Sequence, residues 1–69
     1  MSFTVLHAVE RKNRIVCKPL AHHYTEGMLI RFHEGTTASV IAHLCCGKFK
    51  VEMSGPWPPN LKGTKFEIV

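Results

Sequence analysis

The residues with the longest chemical reach are cations. Arg11, Lys12 and Arg14 crowd one polar stretch, and Lys48 and Lys50 stand two apart further along the chain. Residues two apart on a strand share a face, so Lys48 and Lys50 are expected to point the same way. Several such charges on one surface neutralise phosphate, which is the basic requirement for holding nucleic acid. Lys62 and Lys65 form a third group near the C-terminus, and the formal charge is +4 at pH 7. The plainer alternative is an ordinary solvated surface whose basic residues deter edge-to-edge association. Glu10 and Glu52 sit beside the clusters and favour that alternative. Spacing alone leaves open whether the three groups converge.

A second feature is Pro56-Trp57-Pro58-Pro59. A tryptophan between prolines has little backbone freedom, so presenting it to a partner costs little entropy. Pro56, Trp57 and Pro58 are therefore candidates for entering a partner's pocket, and Trp57 for stacking on a base. The alternative is that Trp57 folds back to cover one end of the core.

Histidine and cysteine are the third set. Cys17, His22 and His23 lie near one another, with His33, His43 and Cys45 further on. A structural zinc site needs four convergent ligands, usually paired at recognisable spacing. The chain has no C-x-x-C and no H-x-x-x-H, so neither a metal nor another cofactor is expected. A thiolate pair of Cys45 or Cys46 with His43 or His33 would need something to lower the thiol pKa and a third group to orient the imidazole. Neither is visible. All five acids are glutamate, which removes an EF-hand loop and any Ser-His-Asp constellation. No glycine-rich phosphate loop is present, and Ser2, Ser39 and Ser54 stand in no nucleophile elbow. No catalytic residue is assigned, and the protein is expected not to be an enzyme.

Three cysteines, an odd number, with no basic-then-apolar leader pattern in Met1 to Glu10, indicate a reducing cytoplasmic compartment. Adjacent Cys45 and Cys46 would point to opposite faces of a strand, so a shared disulfide or metal is not expected. One of them should pack in the core as a small hydrophobe. No apolar run approaches the roughly 18 residues of a membrane span.

These groups must be positioned by elements, and the dominant signal is alternation with period two. Phe3, Val5, His7 and Val9 alternate with Ser2, Thr4, Leu6 and Ala8. Glu10 to Arg14 is a polar tip with a turn-prone asparagine. Ile15 to Lys18 resumes strand character until Pro19 stops the ladder or sets the strand at an edge. Leu20 to Gly27 reads as a loop, and Met28, Ile30 and Phe32 alternate before a Glu34-Gly35 turn. Thr36 to Cys46 fits two patterns. As a helix it has an N-cap threonine and Gly47 past its end. As a strand it places Ala38, Val40, Ala42 and Leu44 inward and Thr37, Ser39 and His43 outward. Its β-branched residues and its lack of charge favour the strand, with Cys46-Gly47 as a hairpin tip into Phe49, Val51 and Met53. Ser54 to Gly63 is a proline-rich loop, and Thr64 to Val69 closes the chain.

The run Gly27-Met28-Leu29-Ile30-Arg31-Phe32, the Glu34-Gly35 turn, Ala38-Ser39-Val40-Ile41 and Phe49-Lys50-Val51-Glu52 together resemble an SH3-like barrel. The resemblance is one of alternation and turns, and covers about two thirds of the chain. It implies a binding module for RNA, DNA, peptide or a subunit contact. Phe3, Val5, Ala8 and Glu10, with His22-His23 and Phe32, Glu34, Thr36 and Ala38, are also similar to the trp RNA-binding attenuation protein family, which assembles into rings. The gaps between these pieces depart from that family. Its RNA-contacting basic positions fall on Val40 and Ala42 or in a loop without lysine, so no binding site is carried over.

The expectation is thus an all-β, small five-stranded antiparallel SH3-like barrel spanning residues 1–69, with an α+β fold carrying a helix at about 36–46 as the alternative. Its function is expected to be contact with nucleic acid as an accessory or regulatory protein, with Arg11, Lys12, Arg14, Lys48 and Lys50 on phosphate. The alternative is a protein-protein adaptor or inhibitor of phage or plasmid origin, or a self-assembling homo-oligomer. That alternative would use Pro56, Trp57, Pro58 and an exposed barrel edge.

Overall fold

Strands form where β-branched and aromatic residues occupy every second position. The computed structural model describes residues 2–69. It holds β1 Ser2–Val9, β2 Arg14–Lys18, β3 Leu29–Phe32, β4 Thr37–Cys45, β5 Lys48–Met53 and β6 Lys65–Ile68. A single 3-10 turn, Glu10–Lys12, joins β1 to β2, with Asn13 in the left-handed region at its end. The strands pair antiparallel and close as β1-β2-β5-β4-β3-β6. This is consistent with a small SH3-like barrel. Among the described residues, no helix is long and apolar enough to cross a membrane.

Among the described residues six strands form rather than the expected five. The short β2 is a full member of the barrel, paired to β1 on one side and β5 on the other. Pro19 stands just past its last residue, so its missing N–H removes no ladder bond. Thr36 to Cys46 is not a helix: β4 runs over Thr37–Cys45 and forms a hairpin with β5. The tip is Cys46-Gly47, with φ of 49° and 76°. Two positive φ values in succession match the twist of a two-residue hairpin. A Cβ at Gly47 would lie 2.6 Å from the Cys17 carbonyl oxygen, so the turn has room only for glycine.

The facing of β4 departs from simple alternation halfway along. Ala38 and Val40 point into the core. The register then shifts between Val40 and Ala42, and again between His43 and Cys45. Each extra residue reverses the facing of the residues after it. Leu44, expected inward, is 40% exposed. His43, expected outward, is half-buried, with its ring 6.2 Å from that of Tyr24. In β1 a shift between Val5 and His7 leaves His7 exposed and packs Ala8 against the core.

The core is aromatic. Phe3, Phe32, Phe49, Phe66 and Tyr24 are all fully buried, with Val5, Ile15, Ile30, Val40 and Val51 around them. Phe66 is the hub, its ring 5.4 Å from Phe3, 5.5 Å from Phe32, 6.1 Å from Phe49 and 6.4 Å from Tyr24. Tyr24 comes from the loop before β3 and stacks on Phe49 at 4.2 Å. The core cysteine is Cys17. Cys45 and Cys46 are both exposed, because the second register shift and the hairpin tip carry them out past the core.

Candidate nucleic-acid interface

β2 and β5 lie side by side with Arg14 opposite Lys50, Ile15 opposite Phe49 and Val16 opposite Lys48. Ile15 and Phe49 are buried, so their neighbours along each strand, Arg14, Val16, Lys48 and Lys50, face outward. Lys18 continues the same outer row of β2 and is exposed. The 3-10 turn holds Arg11 and Lys12 out at the end of this face, both exposed. Its exit is fastened to β5 by the Val51 N–H, which donates to the Asn13 carbonyl at 2.8 Å. The tip cluster and the Lys48/Lys50 pair, separate in sequence, therefore share one side of the barrel.

The third basic group joins only in part. Thr4 is opposite Lys18 on one side and Lys65 on the other. Lys18 and Lys65 are thus two strand spacings apart, about 10 Å, in one row of the outer surface. Lys62 lies in the loop before β6 and is exposed.

Among the described residues, the charge on this side has no paired carboxylate. Among the described residues the one ion pair is Arg31–Glu67, at 3.3 Å. It joins β3 to β6 across the barrel from β2 and β5. Arg14 and Lys50 are like charges placed directly opposite each other, which costs stability in an antiparallel pair. The Nε of Arg14 is shielded from solvent and has no hydrogen-bond partner among the described residues.

Trp57 has both a core-facing contact and a place on the surface. It is half-buried and packs against the core, so it does cover one end of the barrel. It also lines a cavity of about 280 Å³ with His7, Glu10, Pro58, Asn60 and Lys62. Pro56 is exposed and Pro58 half-buried. Because Glu10 begins the 3-10 turn, this cavity sits directly beside Arg11 and Lys12.

Three of the five histidines gather at the opposite end. His22, His23 and His43 line a second cavity with Leu20, Ala21 and Cys46. The His23 and His43 rings are 4.4 Å apart, edge to face. The Nε2 atoms of His22 and His43 are buried without a partner among the described residues. Nor, among those residues, are any three His, Cys, Asp or Glu side chains placed to share one metal ion. His33 stands apart at the turn after β3. Tyr24, in a stretch whose sequence reads only as a loop, sits under these histidines and bonds the Cys17 thiol, Sγ to Oη 2.7 Å.

Burial raises the pKa of Cys17 above its ordinary 9.0 and that of Tyr24 above 10.0; their mutual hydrogen bond opposes the first shift and adds to the second. Both groups are protonated when neutral, so a raised folded pKa stabilises the fold below the unfolded values. Above about pH 9 the unfolded chain loses these protons before the folded one does. Stability is therefore expected to hold through neutral pH and fall above pH 9–10, by up to about 1.4 kcal/mol per pH unit for each group. Urea titrations from pH 7 to 11 check this. In Tyr24→Phe the fall should be shallower; an identical slope would show that the pair is not its source.

Exposed apolar side chains lie on the β3–β4–β6 side. Leu29 is 51% exposed, Ile41 41% and Val69 67%. Leu29 and Val69 are neighbours, since the Val69 N–H donates to the Leu29 carbonyl at 2.9 Å. No protein-family model, curated protein or solved structure matches the chain.

Proposed function

We propose that the protein is a small non-catalytic module that contacts nucleic acid through the outer face of β2 and β5, as a cytoplasmic accessory or regulatory protein. Arg11, Lys12, Arg14, Lys48 and Lys50 meet phosphate. The observation that carries this reading is the Arg14–Lys50 register pair, with Lys48 beside it and, among the described residues, no carboxylate in an ion pair with any of them. Like charges set opposite one another repel while the face is empty and gain a shared counter-charge when a phosphate chain lies across them.

The test is a salt titration. Five contacts to a single strand give a slope of about −3.5 in log affinity against log salt, so affinity falls about a hundredfold between 50 and 200 mM. Fluorescence anisotropy with labelled RNA and DNA strands reads this directly. Absence of binding to either at low salt, or binding indifferent to salt, would overturn the reading.

The exposed Leu29, Ile41 and Val69 favour a second reading, self-association through the β3–β4–β6 side. Light scattering would show it as a mass above the 7.8 kDa of one chain.

A further inference from the structure

We infer that the cavity beneath Trp57 takes one unstacked nucleobase, so that the protein selects single strands over duplex and favours bases that carry an exocyclic amine. The inference rests on the nucleic-acid reading above and names which nucleic acid that face serves.

The cavity joins three chemistries that a single nucleotide needs. The first is an aromatic wall. Trp57 lines it and also packs against the core, and Pro58 lines it beside Trp57. An indole held by the fold and by proline offers a base a stacking surface with little further ordering. The second is hydrogen bonding. Glu10 lines the same space, and Arg31–Glu67 being the one ion pair among the described residues, its carboxylate is unpaired there. An ionised carboxylate only accepts. The base groups that donate to it most openly are the exocyclic amines of cytosine, adenine and guanine; thymine and uracil offer only the ring N3–H, flanked by two carbonyl oxygens that repel a carboxylate. The third is charge. Arg11 and Lys12 follow Glu10 directly, and Lys62 lines the cavity. The phosphates flanking an inserted base would meet cations on both sides.

Size points the same way. About 280 Å³ lies just under the usual range for small-molecule sites, about 300–1,000 Å³. That is room for one base. A duplex would have to unpair and unstack a base to fill it, whereas a single strand offers bases freely.

Trp57 is the only tryptophan in the chain, so its emission reports on this cavity alone. The experiment titrates the protein with labelled oligo(dC), oligo(dA), oligo(dT) and a duplex of equal length. Single strands are expected to quench Trp57 emission, and the duplex to bind more weakly without quenching. Oligo(dC) and oligo(dA) should bind about tenfold tighter than oligo(dT). Glu10→Ala should erase that preference, read as a ratio so that its general charge effect cancels. Trp57→Phe, which keeps a ring against the core, should weaken single-strand binding and leave duplex binding unchanged. Single strands that bind without quenching, or a duplex that binds as tightly, would overturn the base-insertion inference while the basic-face reading stands. Failure of every probe to bind at low salt would overturn both.

Discussion

Lys48→Glu combined with Lys50→Glu is expected to weaken nucleic-acid binding by at least about twenty-fivefold near 0.1 M salt while leaving the barrel folded. Each phosphate contact to a single strand contributes about fivefold at that salt through counterion release, and two contacts are lost. The two new carboxylates add repulsion to that loss. The salt slope should fall by about 1.4. The stability effect has the opposite sign. Lys50 stands opposite Arg14, so the substitution replaces a repelling pair by an attracting one, a gain of a few tenths of a kcal/mol on a solvent-screened surface. Anisotropy and thermal melting on one preparation separate the two effects. Unchanged affinity would place the phosphate path elsewhere, and a lower melting temperature would give the lysines a structural role instead.

Phe66→Ala is expected to remove most of the fold's stability. The ring is fully buried and lies within 6.4 Å, centroid to centroid, of Phe3, Phe32, Phe49 and Tyr24. Truncating a buried phenylalanine costs about 3–5 kcal/mol in lost transfer energy and cavity. A chain of 69 residues has only about 3–10 kcal/mol to lose. β6 is also the strand that closes the barrel between β1 and β3, so loosening it opens both seams. Circular dichroism and urea melts would show a largely unfolded chain at 25 °C, and Phe66→Leu should retain more structure. A melting midpoint within a few degrees of the parent would mean that the core repacks around the gap.

Part of the site was legible from residue types. Arg11, Lys12 and Arg14 had to be close because they are nearly consecutive, and Lys48 and Lys50 had to share a face because strand side chains repeat every two residues. That the two sets lie together comes from the pairing of β2 with β5. These strands are separated in sequence by the long loop, β3 and β4, and nothing local in either states its partner. Trp57 posed the same difficulty. Its flanking prolines marked a restrained aromatic, but its place against His7 and Glu10 depends on how the 54–63 loop crosses the barrel end.

The errors of facing share one cause. Alternation assigns Leu44 to the core and sends His43 outward. A single extra residue at a bulge reverses parity without any change in residue type that alternation registers. The core then took what the bulges and loops delivered: Cys17 from β2 and Tyr24 from the loop before β3.

The all-β class, the places where strands begin and end, and the Cys46-Gly47 turn follow from the residues alone. These rest on short-range physics, namely side-chain alternation, β-branched stiffness and the positive φ that glycine accepts. The membership of β2, the side chains past each bulge, the buried Cys17–Tyr24 pair and the gathering of the cations on one face emerge from long-range pairing. Those depend on which distant strands pair and in what register, and that choice is made by burying five aromatic rings in one closed core rather than by any local run of residues.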